Sequence, residues 1–262
     1  MLKFADIAGA IFDVDDTLLD NQPPGESVGL HERSRLLATH EVGKRHNLPA
    51  LQAFTAEQAR EAFLNAKVHN LDSTVWQMLV IAGEVSEDEE MDPLNPLLRE
   101  IAELKEDLHE HILRTRGKEV PDATRFVELL AGQGLSGKLA VASTSGRRDI
   151  EVFFEMTGLG RFFPEDKIIS REDLTHAKPH PEAFNMAFAR LGVPEKLRGS
   201  VIAFEDDPRG VMAAKAAGLY TCAITTRVSR EEMARLAVPP DLVADSFAEF
   251  AKLFDLPDTL NI

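Results

Sequence analysis

The chain has 262 residues, 44% of them hydrophobic and 28% charged, with 14 prolines. That is the make-up of an ordinary soluble globular protein with one substantial core, or a core and a smaller companion. Forty-four acidic against 29 basic residues give a formal net charge of −15 at pH 7, which argues against nucleic acid or an anionic membrane as the main partner. Any anionic ligand must then be captured by local positive charge or by a metal. The single cysteine, Cys222 in TCAIT, rules out an intramolecular disulfide, points to a reducing compartment and is read as a buried structural thiol. The amino terminus, MLKFADIAG, has no basic segment followed by a secretory apolar core, and no run approaches the length of a membrane span. The expected location is the cytoplasm.

In chain order, the first apolar run is Ala10 to Val14, which leads straight into Asp13, Asp15 and Asp16 with Thr17 behind them. Residues 21 to 116 then hold no convincing strand but several amphipathic helical patterns, Val28 to His46, Thr55 to Asn70, Ser73 to Ala82 and Asn95 to Arg116. This is far more chain than one crossover needs, so it predicts an inserted helical domain. The flanking segments NQPPGES and RGKEVP are rich in turn formers and suit hinges. The acidic EVSEDEEMDP, residues 84 to 93, reads as a solvated loop. Trp76, within the Leu71 to Ile81 pattern, reads as core of the helical domain.

Further short runs rich in Val and Ile follow at Lys138 to Ser143, Lys167 to Ser170, Ser200 to Phe204 and Thr221 to Thr225. Between them lie the helical patterns DIEVFFEMTG, PEAFNMAFARLG and PRGVMAAKAAG, each closed by a glycine suited to a helix C-cap. Strands alternating with helices predict a doubly wound, Rossmann-like parallel α/β sheet, with residues 1–20 and 117–262 as its domain and 21–116 as the all-helical insert. Ligands of such sheets bind at the carboxyl ends of the strands.

Chemistry concentrates at those ends. Asp13 and Asp15 follow the first run, and Ser143, Thr144 and Ser145 the second. Lys178 lies in HAKPHPEAF just before a helix, and Glu205, Asp206 and Asp207 follow the fourth run. Several carboxylates brought together repel one another unless a cation joins them. Oxygen donors without a His or Cys cluster favour a hard ion, Mg²⁺ above all where phosphate completes its shell. Ser143 and Lys178 offer a hydroxyl and a positive charge to phosphate, and backbone N–H groups around Thr144 and Ser145 can donate at a helix start. Of two carboxylates after one strand, one can attack phosphorus and the other can shuttle the leaving-group and water protons.

DVDDT, VASTS, AKPHPEAF and FEDDPRGVMAAKAAG, in that order, resemble the four motifs of the haloacid dehalogenase-like superfamily, in its phosphatase and phosphomutase branch. The resemblance implies Asp13 as nucleophile and Asp15 as general acid and base, with the Asp15 carbonyl also on the metal. It implies Ser143 and Thr144 at the phosphate, Lys178 neutralising nucleophile and phosphate, and Asp13, Asp15, Asp206 and Glu205 around Mg²⁺. Asp207 stands where the family often has Ser, and Asp16, in place of a frequent glycine, is assigned to the turn. The helical insert resembles the family's cap, with Leu30, His31 and Glu32 as its displaced entry segment. The implied activity is Mg²⁺-dependent hydrolysis of a small phosphorylated metabolite through an aspartyl phosphate.

The competing activity is a beta-phosphoglucomutase-like transfer, which needs basic residues in the cap; Lys44, Arg45, Arg60 and Lys67 are present but match no secure pattern. Dehalogenation would leave Asp15 and the acidic fourth motif without a task. A receiver-type phospho-accepting module lacks a large helical insert, and a silent binding protein is disfavoured by the intact motifs. Among other residues, His109 and His111 lie two apart on a helical pattern and make a poor metal pair. His176 and His180 flank Lys178 and read as structural or solvent-facing, while Arg147 and Arg148 open a helix beside the phosphate loop.

Overall fold

The computed structural model describes residues 2–25, 27–68 and 70–257. Six strands form one parallel sheet: β1 (Gly9–Phe12), β4 (Leu139–Ala142), β5 (Ile168–Ile169), β6 (Val201–Glu205), β7 (Tyr220–Ile224) and β8 (Leu242–Ala244). Two further strands, β2 (Leu19–Asp20) and β3 (Lys118–Glu119), pair antiparallel with each other. The sheet order is β5-β4-β1-β6-β7-β8. From β1 the chain builds outward to β4 and β5, then crosses back to the other side of β1 for β6, β7 and β8. The reversal falls at β1, and its two neighbours are in register, Ile11 opposite Ala140 on one side and Ala203 on the other.

The apolar runs become strands because both sheet faces are covered, so no alternation with polar residues is needed. β1, β4 and β6 are buried along their whole lengths. One face carries small residues: Ile11, Ala140, Ala142 and Ala203 pack with Phe184, Ala187 and Phe188 of α8 (Glu182–Leu191) and Ala213 and Ala214 of α9 (Pro208–Ala216). The other carries rings. Phe12 stacks on Phe204 at 4.7 Å, and Phe126 of α6 (Ala123–Leu130) meets Phe204 edge-on at 5.3 Å and Phe247 of α11 (Phe247–Leu253) at 4.9 Å. Helix α7 (Arg147–Thr157) links β4 to β5, and α10 (Arg230–Ala234) precedes β8. Cys222 is fully buried in β7, where burial pushes its thiol pKa up and leaves it unreactive.

β8, β2 and β3 were not foreseen. β8 is three residues long and only its last is buried, and the other two are pairs of residues, all below the length at which a periodicity can be read.

Residues 21–117 form a second compact unit, all helical. It contains α1 (Leu30–Arg45), α2 (Pro49–Gln52), α3 (Ala56–Asn65), α4 (Leu71–Ala82) and α5 (Pro96–Arg116). Starts are fixed by side chains that accept otherwise unpaired amides: Thr55 with Gln58 in a capping box, Asn70 from Ser73 at 2.8 Å, Asn95 from Leu98 at 3.1 Å. α3 ends four residues after Glu61, where Ala66 turns extended, so the pattern expected to reach Asn70 stops short; His69 lies outside the described residues. Ala38, Val42, Val75, Trp76, Leu79, Leu98 and Ile101 make this unit's core, with Trp76 only 5% exposed. At Gly43 α1 passes so close to α2 that a Cβ would stand 2.8 Å from Leu51 Cβ. Residues 86–94 are exposed, as a solvated loop should be. No helix among the described residues is long and apolar enough to cross a membrane.

Candidate active site

β1 and β6 are neighbours, so the residues just past their carboxyl ends are brought side by side. Asp13 N–H donates to Phe204 O at 3.0 Å, which carries the strand pairing one residue beyond β1. One carboxylate oxygen from each of Asp13, Glu205 and Asp206 then lies within 4.8 Å of the other two, and all three residues are buried. Lys178, from the loop before α8, reaches into this group. Its Nζ donates to Asp13 Oδ1 at 2.5 Å and to Glu205 Oε1, and sits 5.1 Å from the Phe184 ring.

The rest of the Glu205 carboxylate is held by backbone. Its Oε2 accepts the N–H groups of Asp206 at 3.2 Å and Asp207 at 3.4 Å, at the start of α9. Gly210 makes room for it, because a Cβ there would overlap the Glu205 carboxylate. Asp206 is oriented by Thr17, whose Oγ1 donates to Oδ1 at 3.1 Å. Asp207 leaves the group: it caps α9, accepting from Arg209 N–H at 2.7 Å and pairing with the Arg209 guanidinium.

Past β4, Ser143 and Ser145 form a hydroxyl relay. Ser143 Oγ donates to Ser145 Oγ at 3.0 Å, Ser145 N–H donates back to Ser143 Oγ at 3.2 Å, and Ser145 Oγ donates to the Asp15 carboxylate. The structure thus joins Asp15 to the β4 loop, while its side chain is outside the three-carboxylate group. Thr144 is exposed beside two buried serines.

Burial raises the Asp13 carboxyl well above the usual carboxylate range; Lys178 opposes the shift, and Glu205 and Asp15 add to it. Asp206 is raised likewise, by burial and then by Glu205 and Asp13. For Lys178 burial works the other way, yet the charges of Asp13 and Glu205 outweigh it and hold the ammonium above its ordinary value. One lysine among three carboxylates leaves the group short of positive charge. The donors are all hard oxygens, so the residues present fit a small divalent cation such as Mg²⁺.

The sequence reading named Thr17 and Ser145 without their side-chain partners, and it missed Thr226 and Arg227 altogether. Thr17 and Ser145 sit inside recognised motifs, but their bonds reach Asp206 and Asp15 across 189 and 130 residues. Arg227, after β7, pairs with Asp16 at 2.8 Å and with Asp20, and Thr226 Oγ1 donates to Asp16 O at 2.5 Å. Asp16 itself is in the left-handed region at φ 59°, which an Asp tolerates, and it belongs to the turn as expected.

A sequence model of the haloacid dehalogenase-like hydrolases matches residues 7–218, from before β1 to the end of α9. The chain belongs to that family. Among curated members it is similar to the pyrophosphatase PpaX of Oceanobacillus iheyensis, 31% identical over 141 residues, which are 50% of this chain and 62% of that protein. The chain therefore spans less than two thirds of that relative. It is similar along its whole length to a phosphoglycolate phosphatase of Salmonella typhi, at 23% identity over 100% of this chain and 98% of the other. Its fold is that of a family member from Entamoeba histolytica, described as a HAD hydrolase of family IA, variant 3, with a TM-score of 0.69 at 21% identity over 94% and 97% of the two chains.

Proposed function

We propose that the protein is a phosphomonoester hydrolase of a small phosphorylated metabolite, dependent on Mg²⁺ and working through an aspartyl phosphate on Asp13. The observation that carries this reading is Lys178, whose ammonium bridges Asp13 and Glu205 inside a buried set of three carboxylates. A lysine so placed offsets the charge of Asp13 and can do the same for an approaching phosphoryl group. The family membership and the phosphatase names of the relatives support the same substrate chemistry.

In this reading a free Asp13 oxygen attacks phosphorus while Asp15 gives a proton to the departing ester oxygen, releasing an alcohol. Asp15, now ionised, takes a proton from water as that water displaces Asp13 from phosphorus, giving inorganic phosphate and restoring both carboxyl groups. Ser145 holds the Asp15 carboxylate in place through its hydroxyl. Ser143 and Thr144 bind the phosphoryl oxygens beside Lys178. Held by Asp13, Glu205 and Asp206 with the Asp15 carbonyl, Mg²⁺ would supply the positive charge that lets an anion attack an anion. The helical unit, residues 21–117, is proposed as the cap that selects the substrate.

The test is phosphate release from sugar phosphates, phosphoglycolate, nucleotides, pyrophosphate and an aryl phosphate, with Mg²⁺ and with chelator. Turnover is expected only with Mg²⁺, and Asp13→Asn is expected to lower it at least about 10³-fold while remaining folded. Activity that survives the chelator or the variant sinks the mechanism. Transfer to a second sugar hydroxyl without phosphate release would make the protein a mutase.

A further inference from the structure

A histidine stands two residues to each side of Lys178, and neither has a part in the chemistry above. The loop Thr175–Glu182 folds so that both rings turn to the same carboxylate. His176 Nδ1 lies 3.1 Å from Glu182 Oε2 and His180 Nδ1 lies 3.9 Å from the same oxygen. The two rings are 4.5 Å apart at 32°. One donor atom from each of the three residues lies within 4.8 Å of the others.

Glu182 is fixed in this position. Its Oε1 accepts the Thr175 N–H at 3.1 Å and its Oε2 the His176 N–H at 2.7 Å. These bonds and the nearby imidazole keep it ionised, below the usual carboxylate range. A carboxylate oxygen has further lone pairs, so backbone anchoring does not exhaust it. The imidazoles are free to adjust, with 61% and 50% of their side chains exposed against 21% for Glu182.

Donors about 2.0–2.2 Å from a cation stand roughly 2.8–3.6 Å from one another in tetrahedral or square geometry. Of the two imidazole–carboxylate distances, 3.1 Å lies within that range and 3.9 Å just above it, and small rotations of exposed rings bring all three donors within it. The donor set also differs in kind from the one at the strand ends. Three carboxylates suit Mg²⁺, whereas two imidazoles and a carboxylate suit Zn²⁺, Ni²⁺ or Cu²⁺.

We propose that His176, His180 and Glu182 form a second cation site, selective for Zn²⁺-like divalent ions, on the loop that carries Lys178. On binding, the ion takes the Nδ1 lone pair of each ring. The hydrogen bond between His176 and Glu182 is given up, and any proton on those nitrogens passes to solvent. An occupied site cross-links residues 176, 180 and 182 and so stiffens the loop on both sides of Lys178.

The experiment is equilibrium dialysis of Zn²⁺ against the full chain in saturating Mg²⁺. One tightly bound equivalent is expected, retained in Asp206→Asn and weakened at least about 10-fold in the double variant His176→Gln with His180→Gln. Cu²⁺ bound at the same site should give nitrogen splittings in its electron paramagnetic resonance spectrum, which oxygen donors cannot produce and which the double variant should lose. Circular dichroism checks folding; should the double variant unfold, His180→Gln alone, at a half-exposed ring, is expected to weaken binding by a similar factor. No bound equivalent, uptake unchanged in the histidine variants, loss of uptake in Asp206→Asn, or an oxygen-only spectrum would overturn the proposal.

Discussion

Two buried polar groups in this molecule are built on opposite plans. At the ends of β1 and β6, Asp13, Glu205 and Asp206 crowd together with one lysine paired to the first two, and burial and mutual repulsion raise Asp13 and Asp206. Between α1 and α5 of the helical unit, Ser34 and His109 are also fully buried, and their side chains meet each other. Ser34 Oγ lies 3.2 Å from His109 Nδ1 and donates to Leu30 O at 3.1 Å, and His31 stacks on His109 at 4.0 Å. The second group joins one helix to another through a serine–histidine hydrogen bond and a stacked pair of imidazoles. The first holds like charges in place with strand ends and a helix start, and is left wanting a cation. Burial is common to both, so burial does not mark a functional site; an uncompensated charge on a rigid frame does.

The contrast breaks most visibly if charge is removed at the first group. Asp15→Asn, which leaves the Ser145 loop a partner of the same shape, is expected to lower kcat about 10²–10⁴-fold. Trp76 is the sole tryptophan and lies in the helical core, so its fluorescence should report an unchanged unfolding midpoint in that variant. A fall in both would mean that Asp15 is structural.

The strand ends were legible because an apolar run that stops in carboxylates or hydroxyls is unusual; Asp13, Ser143 and Asp206 come at such stops, with Lys178 before a helix between the last two. Most helices of the second unit were legible from their amphipathic period. Partners distant in sequence were not: nothing local couples Thr17 to Asp206, Ser145 to Asp15, or Arg227 to Asp16 and Asp20. Nor does periodicity tell which helix faces carry Ser34 to His109, because a buried histidine and a buried leucine fit the same pattern. The four-residue α2 is too short to leave a pattern at all.

The opposite intervention removes packing from the second group's unit. Leu79 is fully buried in its core, and Leu79→Ala is expected to cost about 2–5 kcal/mol. The midpoint read by Trp76 should fall, whereas Mg²⁺ affinity of the folded protein should stay within about a factor of two, since no Leu79 atom is among the donors. Lost Mg²⁺ binding would show that the carboxylate group depends on the helices. Mg²⁺ itself should stabilise the wild type by about 2.7 kcal/mol at a hundred times its Kd. Asp206→Asn is expected to unfold no earlier than the wild type without metal, because it relieves repulsion, and to lose at least about 1.4 kcal/mol of the Mg²⁺ gain, a tenfold loss of affinity. An equal Mg²⁺ shift in both proteins would remove Asp206 from the site.

A third kind of acid separates charge that is matched from charge that is not. Asp173, in the turn after β5, is pushed up by partial burial, but the N–H and Oγ of Ser170, with Arg147 and Arg190, outweigh that and hold it below the usual range. Its Oδ2 accepts from Ser170 N–H at 2.9 Å and from Arg147 at 2.8 Å. Because the folded value is depressed, these bonds contribute stability that is complete above the unfolded value, about 3.9, and fades as pH falls below it towards the folded one. Asp173→Asn should therefore cost about 1 kcal/mol at pH 7, the size expected of a partly exposed ion pair with amide bonds. Thermal unfolding of the two proteins at pH 7 and pH 3 measures it: the gap should narrow in acid. A gap that widened instead would place Asp173 with the raised, uncompensated carboxylates of Asp13 and Asp206, whose protonation relieves the fold and whose ionisation strains it.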